Sequence, residues 1–220
     1  MNSLQEQVLI CGKCKVDELS GIVQCSPVYS FGDPLGKKVI VIAQNPSTRE
    51  FKNGYLVEKG SLQTRLDNQL DYFRQPYYKP FFGKLEAFFD GPVAHRLSWV
   101  GACWEKVGFL DLVKCSTRTY NGQWNTLKPK HKKIIAGNCE GYLLSQLRLY
   151  KPSVILAYGK YVCDWFSKRY DFDYSCPDVK EIKTDYFPRV TLLLLKQRQG
   201  WQRHSRGEIE LVQRELLRTL

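Results

Sequence analysis

The sequence predicts an α/β fold of three layers, α/β/α, built on a central, mainly parallel four-stranded sheet. Three observations predict it. Four short apolar runs, at 37–43, 108–114, 153–159 and 191–195, are continuous rather than alternating, as strands buried on both faces must be. Stretches of helical period lie between and after them. Each run also stops abruptly at turn residues, which places loops at the carboxyl ends of the strands, where open α/β sheets hold their ligands.

Each element can be justified in order. Residues 1–30 are short of apolar periodicity and carry the pair Cys11-Gly-Lys-Cys14. The first strand follows and ends in Gln44-Asn45-Pro46-Ser47, a turn-forming cluster. Residues 51–80 are polar and aromatic and predict no element, whereas Phe81, Phe82, Leu85, Phe88 and Phe89 fall on one helical face. The second strand runs straight into Cys115, and the basic, turn-rich stretch 117–133 reads as an exposed loop. Ile135, Cys139, Tyr142, Leu143, Leu147 and Tyr150 then repeat at helical spacing, up to Lys151-Pro152, because proline disfavours helix in the residue before it. A third strand, a helix over 160–170, the fourth strand and a helix over 207–220 complete the chain. No internal repeat or long linker interrupts it, so one domain over residues 1–220 is expected, with residues 1–30 as an N-terminal segment.

Composition narrows the function. With 43% hydrophobic and 25% charged residues, disorder, collagen and coiled coil are excluded. The formal charge of +11 points to a polyanionic partner. No apolar run approaches the ~18 residues a membrane span needs, and the N-terminus lacks a secretory pattern. An intracellular protein without a membrane partner is expected, with its thiols kept reduced. Eight cysteines then need another explanation. Cys11 and Cys14 have the spacing that lets two sulfurs converge on one metal, and Cys115 at a strand end and Cys139 in the following helix can meet them at one sheet edge. On spacing alone, a bound metal and four reduced structural thiols both remain open. Cys25, Cys103, Cys163 and Cys176 show no such pairing and read as core or surface thiols.

Further residues carry a resemblance. The ordered succession Ala43-Gln44-Asn45-Pro46-Ser47-x-x-Glu50, Pro80-Phe81-Phe82-Gly83-Lys84-Leu85, Asp111-Leu-Val-Lys-Cys115, Cys139 and Pro152-Ser-Val-Ile-Leu-Ala-Tyr-Gly159 resembles the uracil-DNA glycosylase superfamily. It is most like the iron–sulfur type known as family 4. The resemblance implies a [4Fe-4S] cluster held by Cys11, Cys14, Cys115 and Cys139. It assigns the water-positioning loop to 43–47, with Ala43 and Gln44 against the substrate and Asn45 as the catalytic side chain. It makes Phe81 the aromatic that stacks on an extruded base, and puts Asp111 where the family carries the Asn that reads uracil. The family's last motif, His-Pro-Ser, follows its strand directly. Here Lys196-Gln-Arg-Gln-Gly-Trp201 intervenes, so that the leaving-group donor is His204, Arg198 or Lys196, or is missing.

The chemistry so implied is hydrolysis of an N-glycosidic bond after base flipping. An amide is not a base near neutral pH, so Asn45 would orient water and face the cationic sugar. The basic stretches 117–133 and 196–206, with Lys130, Arg198 and Arg203, are the expected phosphate contacts. The expectation is a monomeric, monofunctional DNA glycosylase of base excision repair. The rivals are a non-catalytic nucleic-acid-binding protein of the same fold and cluster, and a zinc-stabilised α/β protein with no DNA role.

Overall fold

The computed structural model describes residues 1–19, 25–75, 79–99, 103–116, 127–183, 189–196 and 203–220, and the side chains of all of these except 17, 48, 49 and 79–81. Five strands form one sheet: β1 (Val39–Ala43), β2 (Val107–Asp111), β3 (Val154–Tyr158), β4 (Asp178–Ile182) and β5 (Val190–Leu195), in the order β2-β1-β3-β5-β4. The pairs β1/β2, β1/β3 and β3/β5 are parallel, and β4/β5 is antiparallel. The expected α/β class and parallel core are present, with five strands in place of four. The added strand, β4, has the sequence Asp-Val-Lys-Glu-Ile and is mostly half-buried. It escapes an apolar-run search because it is an edge strand, and charge on an edge discourages pairing with another chain.

Side chains on successive strand residues point to opposite faces, and the sheet uses both. Ile40, Ile42, Leu110, Ile155, Ala157, Leu192 and Leu194 pack into one core with α1 (Ser3–Leu9), α3 (Leu62–Leu70), α6 (Pro129–Tyr150) and α7 (Lys160–Tyr170). Val39, Val41, Ala43, Phe109, Leu156, Leu193 and Leu195 pack into the other with α4 (Lys79–Glu86), α5 (Pro92–Arg96) and α8 (Arg206–Thr219). A short helix, α2 (Thr48–Lys52), follows the turn after β1. On the open side of β2, Phe31 bridges Phe109 antiparallel, and the Val28 N–H donates to the Lys114 carbonyl at 2.7 Å.

Three sequence expectations change. The N-terminal segment holds a helix, α1, closed by an Asn2/Gln5 capping box and anchored by buried Val8 and Leu9. Within 51–80, α3 is capped by Ser61 and presents Leu62, Leu66 and Leu70 to the first core, a stripe diluted by the polar residues between. Helix α6 begins at Pro129 rather than after the basic stretch, because proline at the first helical position is already set to helical φ. Lys130 to Lys133 therefore ride its first turns, while residues 117–126 lie outside the described residues.

Candidate functional site

Register brings the candidate residues together at the carboxyl edge of the sheet. Ala43 at the end of β1 is paired with Asp111 at the end of β2. Beyond the strands the Leu112 N–H donates to the Ala43 carbonyl at 2.8 Å and the Val113 N–H to the Gln44 carbonyl at 2.9 Å. The loop that bears Asn45 is thus tied through backbone to the segment that bears Asp111. Within it, the Gln44 side-chain amide donates to Asn45 Oδ1 at 3.0 Å, and Asn45 Nδ2 donates to the Pro46 carbonyl at 3.0 Å. Both side chains are half-buried, and the Asn45 carbonyl keeps a second lone pair for water.

Asp111 is 3% exposed, and its Oδ2 has no hydrogen-bond partner among the described residues. Burial pushes its ionisation above the usual carboxylate range; Lys114 opposes that rise and Glu50 adds to it. Lys114, also fully buried, donates from Nζ to the Asp111 carbonyl at 2.6 Å. Burial pushes its ammonium down, against the pull of Asp111, Cys139 and Cys115. Glu50 joins from α2: it accepts a 2.5 Å hydrogen bond from Tyr72 Oη, and burial raises its carboxyl as well. An acidic, desolvated cluster of Asp111, Glu50 and Tyr72 therefore stands beside the Asn45 loop. Glu50 closes the sequence motif that begins at Ala43, and only its partner Tyr72, distant in sequence, shows that it faces inward.

His204 returns to the sheet despite the long loop before it. Its side chain is 1% exposed, with Nδ1 3.7 Å from Glu208 Oε2 and Nε2 3.3 Å from Tyr158 Oη at the end of β3. The Phe88 ring lies 4.5 Å from the imidazole, centre to centre. Tyr158, Phe88 and Ala43 belong to one core cluster, so His204 packs against the same core that holds the end of β1. Phe81 lies in α4 with its side chain outside the described residues; its neighbour Phe82 is core, packed on Phe31, Tyr72, Trp104 and Phe109. Arg203 is exposed, Arg198 lies outside the described residues, and exposed Lys130 pairs with Glu18 at 3.0 Å.

The four cysteines singled out gather where the N-terminal segment meets the end of β2 and α6. Cys14, Cys115 and Cys139 are buried and Cys11 half-buried. Burial pushes the Cys115 thiol up, and the nearby Cys139, Cys14, Cys11 and Cys25 push it further. Two N–H groups point at sulfur: the Lys114 backbone donates to Cys139 Sγ and Asn138 Nδ2 to Cys14 Sγ, both at 3.4 Å. Such donors suit thiolates. Among the described residues, however, no three Cys, His, Asp or Glu side chains are closed to metal-binding geometry.

Two clefts formed by described residues lie elsewhere. One is lined by Ser153, Arg189, Thr191 and Arg218 at the amino ends of β3 and β5, the other by α5 and α8. No described helix is long and apolar enough to cross a membrane.

No curated protein matches the chain. A family model does: that of the Uracil DNA glycosylase superfamily, over residues 29–210. The matched span starts after Cys11 and Cys14 and runs from the strip along β2 into α8, taking in all five strands and the loop after β1. The chain belongs to the uracil DNA glycosylase superfamily.

Proposed function

We propose that the protein is a monofunctional DNA glycosylase, of the iron–sulfur, family 4-like type, that flips a deaminated base and hydrolyses its N-glycosidic bond. The observation that carries this reading is the backbone link between the Asn45 loop and the Asp111 strand end, in a chain of this superfamily. Cleavage builds positive charge on the sugar and negative charge on the departing base. Asn45 holds a water through its carbonyl and faces the cationic sugar, so its work is placement. Gln44 and Ala43 bound the same pocket, and Phe81 is its stacking platform.

Asp111 reads the base. An ionised carboxylate only accepts hydrogen bonds, but a carboxyl kept neutral by burial has one O–H donor and one carbonyl acceptor. That pair matches uracil's O4 and N3–H as an asparagine amide would. Cys11, Cys14, Cys115 and Cys139 are the residues to hold a [4Fe-4S] cluster, whose contribution is to fasten the N-terminal segment of this single domain to the sheet. His204 faces the departing base oxygen only if its imidazole turns from Tyr158. That buried position favours the second reading, a DNA-binding protein of the same fold without the chemistry.

Oligonucleotides bearing single uracil, hypoxanthine, xanthine or mismatched bases, incubated with protein and then hot alkali, test the reading. Strand scission at uracil, reduced at least ~100-fold in Asn45→Ala, is the expected result. DNA affinity without scission on any substrate would establish the second reading instead.

A further inference from the structure

Two of the cysteines that show no pairing in the sequence meet in the fold. Cys163, on the first turn of α7, is 0% exposed. Cys176 lies two residues before β4 and is half-exposed. Their sulfurs are 3.9 Å apart, with the Cys176 S–H donating to the Cys163 sulfur. The Cys163 sulfur also lies against the Ala157 and Leu195 carbonyls, at 3.4 and 3.7 Å, at the ends of β3 and β5. The pair stands at the β3/β5 end of the sheet's carboxyl edge, whereas the four-cysteine group stands at its β2 end.

We propose that Cys176 and Cys163 form a thiol–disulfide modification site that reacts with small disulfides of the glutathione type, Cys176 as the attacking thiol and Cys163 as the resolving one. The roles follow from placement. The reacting sulfur must be reached from solvent, and only Cys176 is. Its thiolate is favoured first by Cys163, which becomes the hydrogen-bond donor once Cys176 is ionised, and, after the cost of partial burial, by Lys196 just after β5; Asp178 and Asp164 oppose it. The neighbouring Tyr174 hydroxyl is engaged with Asp164 at 2.6 Å. Cys163 keeps its proton chiefly because it becomes the donor to an ionised Cys176 and secondly because it is buried.

The electron count closes. Cys176 thiolate attacks one sulfur of glutathione disulfide, forming a protein–glutathione mixed disulfide and expelling a glutathione thiolate. Cys163 then passes its proton to the expelled glutathione thiolate and attacks the Cys176 sulfur, expelling the second glutathione, which takes up a proton from solvent. Two protein thiols are oxidised by two electrons and one glutathione disulfide is reduced to two thiols. The sulfurs close from 3.9 Å to the ~2.0 Å of a disulfide.

The test uses the folded protein with whatever centre it carries, treated anaerobically with glutathione disulfide, alkylated, digested and mapped by mass spectrometry. The expected product is a peptide joined through Cys163 and Cys176, released by dithiothreitol. Cys163→Ser should stop at a lasting glutathione adduct on Cys176. Because residue 163 is in the core, Cys176→Ser is the second variant, and its Cys163 should take up no glutathione. A lasting adduct on wild-type Cys176 with Cys163 still alkylatable would overturn the proposal. So would a Cys176 that reacts only in the unfolded chain, or uptake at Cys163 in Cys176→Ser.

Discussion

Asp111 combines properties that rarely coexist in a carboxyl group: it is buried, one oxygen lacks a partner among the described residues, and its nearest cation bonds its backbone rather than its carboxylate. Burial favours the proton-bearing form. If Asp111 reads uracil as proposed, excision should therefore fall as pH rises through its elevated ionisation, since ionisation removes the donor assigned to O4. Asp111→Asn restores an amide that does not titrate, and its pH–rate profile should lose that limb while excision persists below it; kcat/KM against pH for both proteins is the measurement. The basic residues divide in the same way. Lys130 already pairs with Glu18, whereas exposed Arg203, on the approach to α8, makes no ion pair among the described residues. Arg203→Ala should weaken DNA binding and lower the slope of log K against log salt by about 1, and Lys130→Ala by less. Fluorescence anisotropy over a salt series separates them.

Among the elements, α8 links stability to the site most directly. Ser205 caps it, accepting from the Glu208 N–H at 3.2 Å while Glu208 Oε2 accepts from the Ser205 N–H at 2.8 Å, and His204 is the residue just before. Ser205→Ala should cost about 1 kcal/mol, read from urea unfolding midpoints, because the cap hydrogen bond is lost while Val212 and Leu216 stay packed. Legibility in the sequence varied with how each element is buried. β1, β3 and β5 announce themselves because both faces are covered and nearly every residue is apolar, whereas β4 carries three charged residues among two apolar ones at a solvent edge and gives no apolar run. α3 hid behind its polar faces. The return of His204 to Tyr158 was not legible either, since tertiary packing against Phe88 sets it rather than local spacing. Asn45 and Asp111 enter through the family resemblance, and the sheet's register brings both to its carboxyl edge.

On the scale of the whole molecule, the cysteines connect the ends of the architecture. Sequence spacing identified Cys11, Cys14, Cys115 and Cys139 as a set, and the fold collects them, yet the meeting of Cys163 with Cys176 needed the β4 approach to be known. If the proposed cluster fastens residues 1–19 to β2 and α6, Cys139→Ser should abolish the broad visible absorbance of the purified protein and lower its iron content. Limited proteolysis should then remove the N-terminal segment faster than in wild type. Colourless wild-type protein containing zinc would contradict the cluster.

The parallel pairing of the sheet has a kinetic side. β1 is flanked by β2, which begins at Val107, and by β3, which begins at Val154, so its own hydrogen bonds wait on chain far downstream. Closing such long loops before any pairing is gained makes folding slow. During synthesis the apolar stretch Val39–Ala43 has no partner strand on either side until β2 emerges, and the pocket loop after it has no wall. Refolding should accordingly be slower than that of helical proteins of this size, with substrate binding recovered only in the same late phase that completes the sheet, so that no partly folded form of this chain holds a working site.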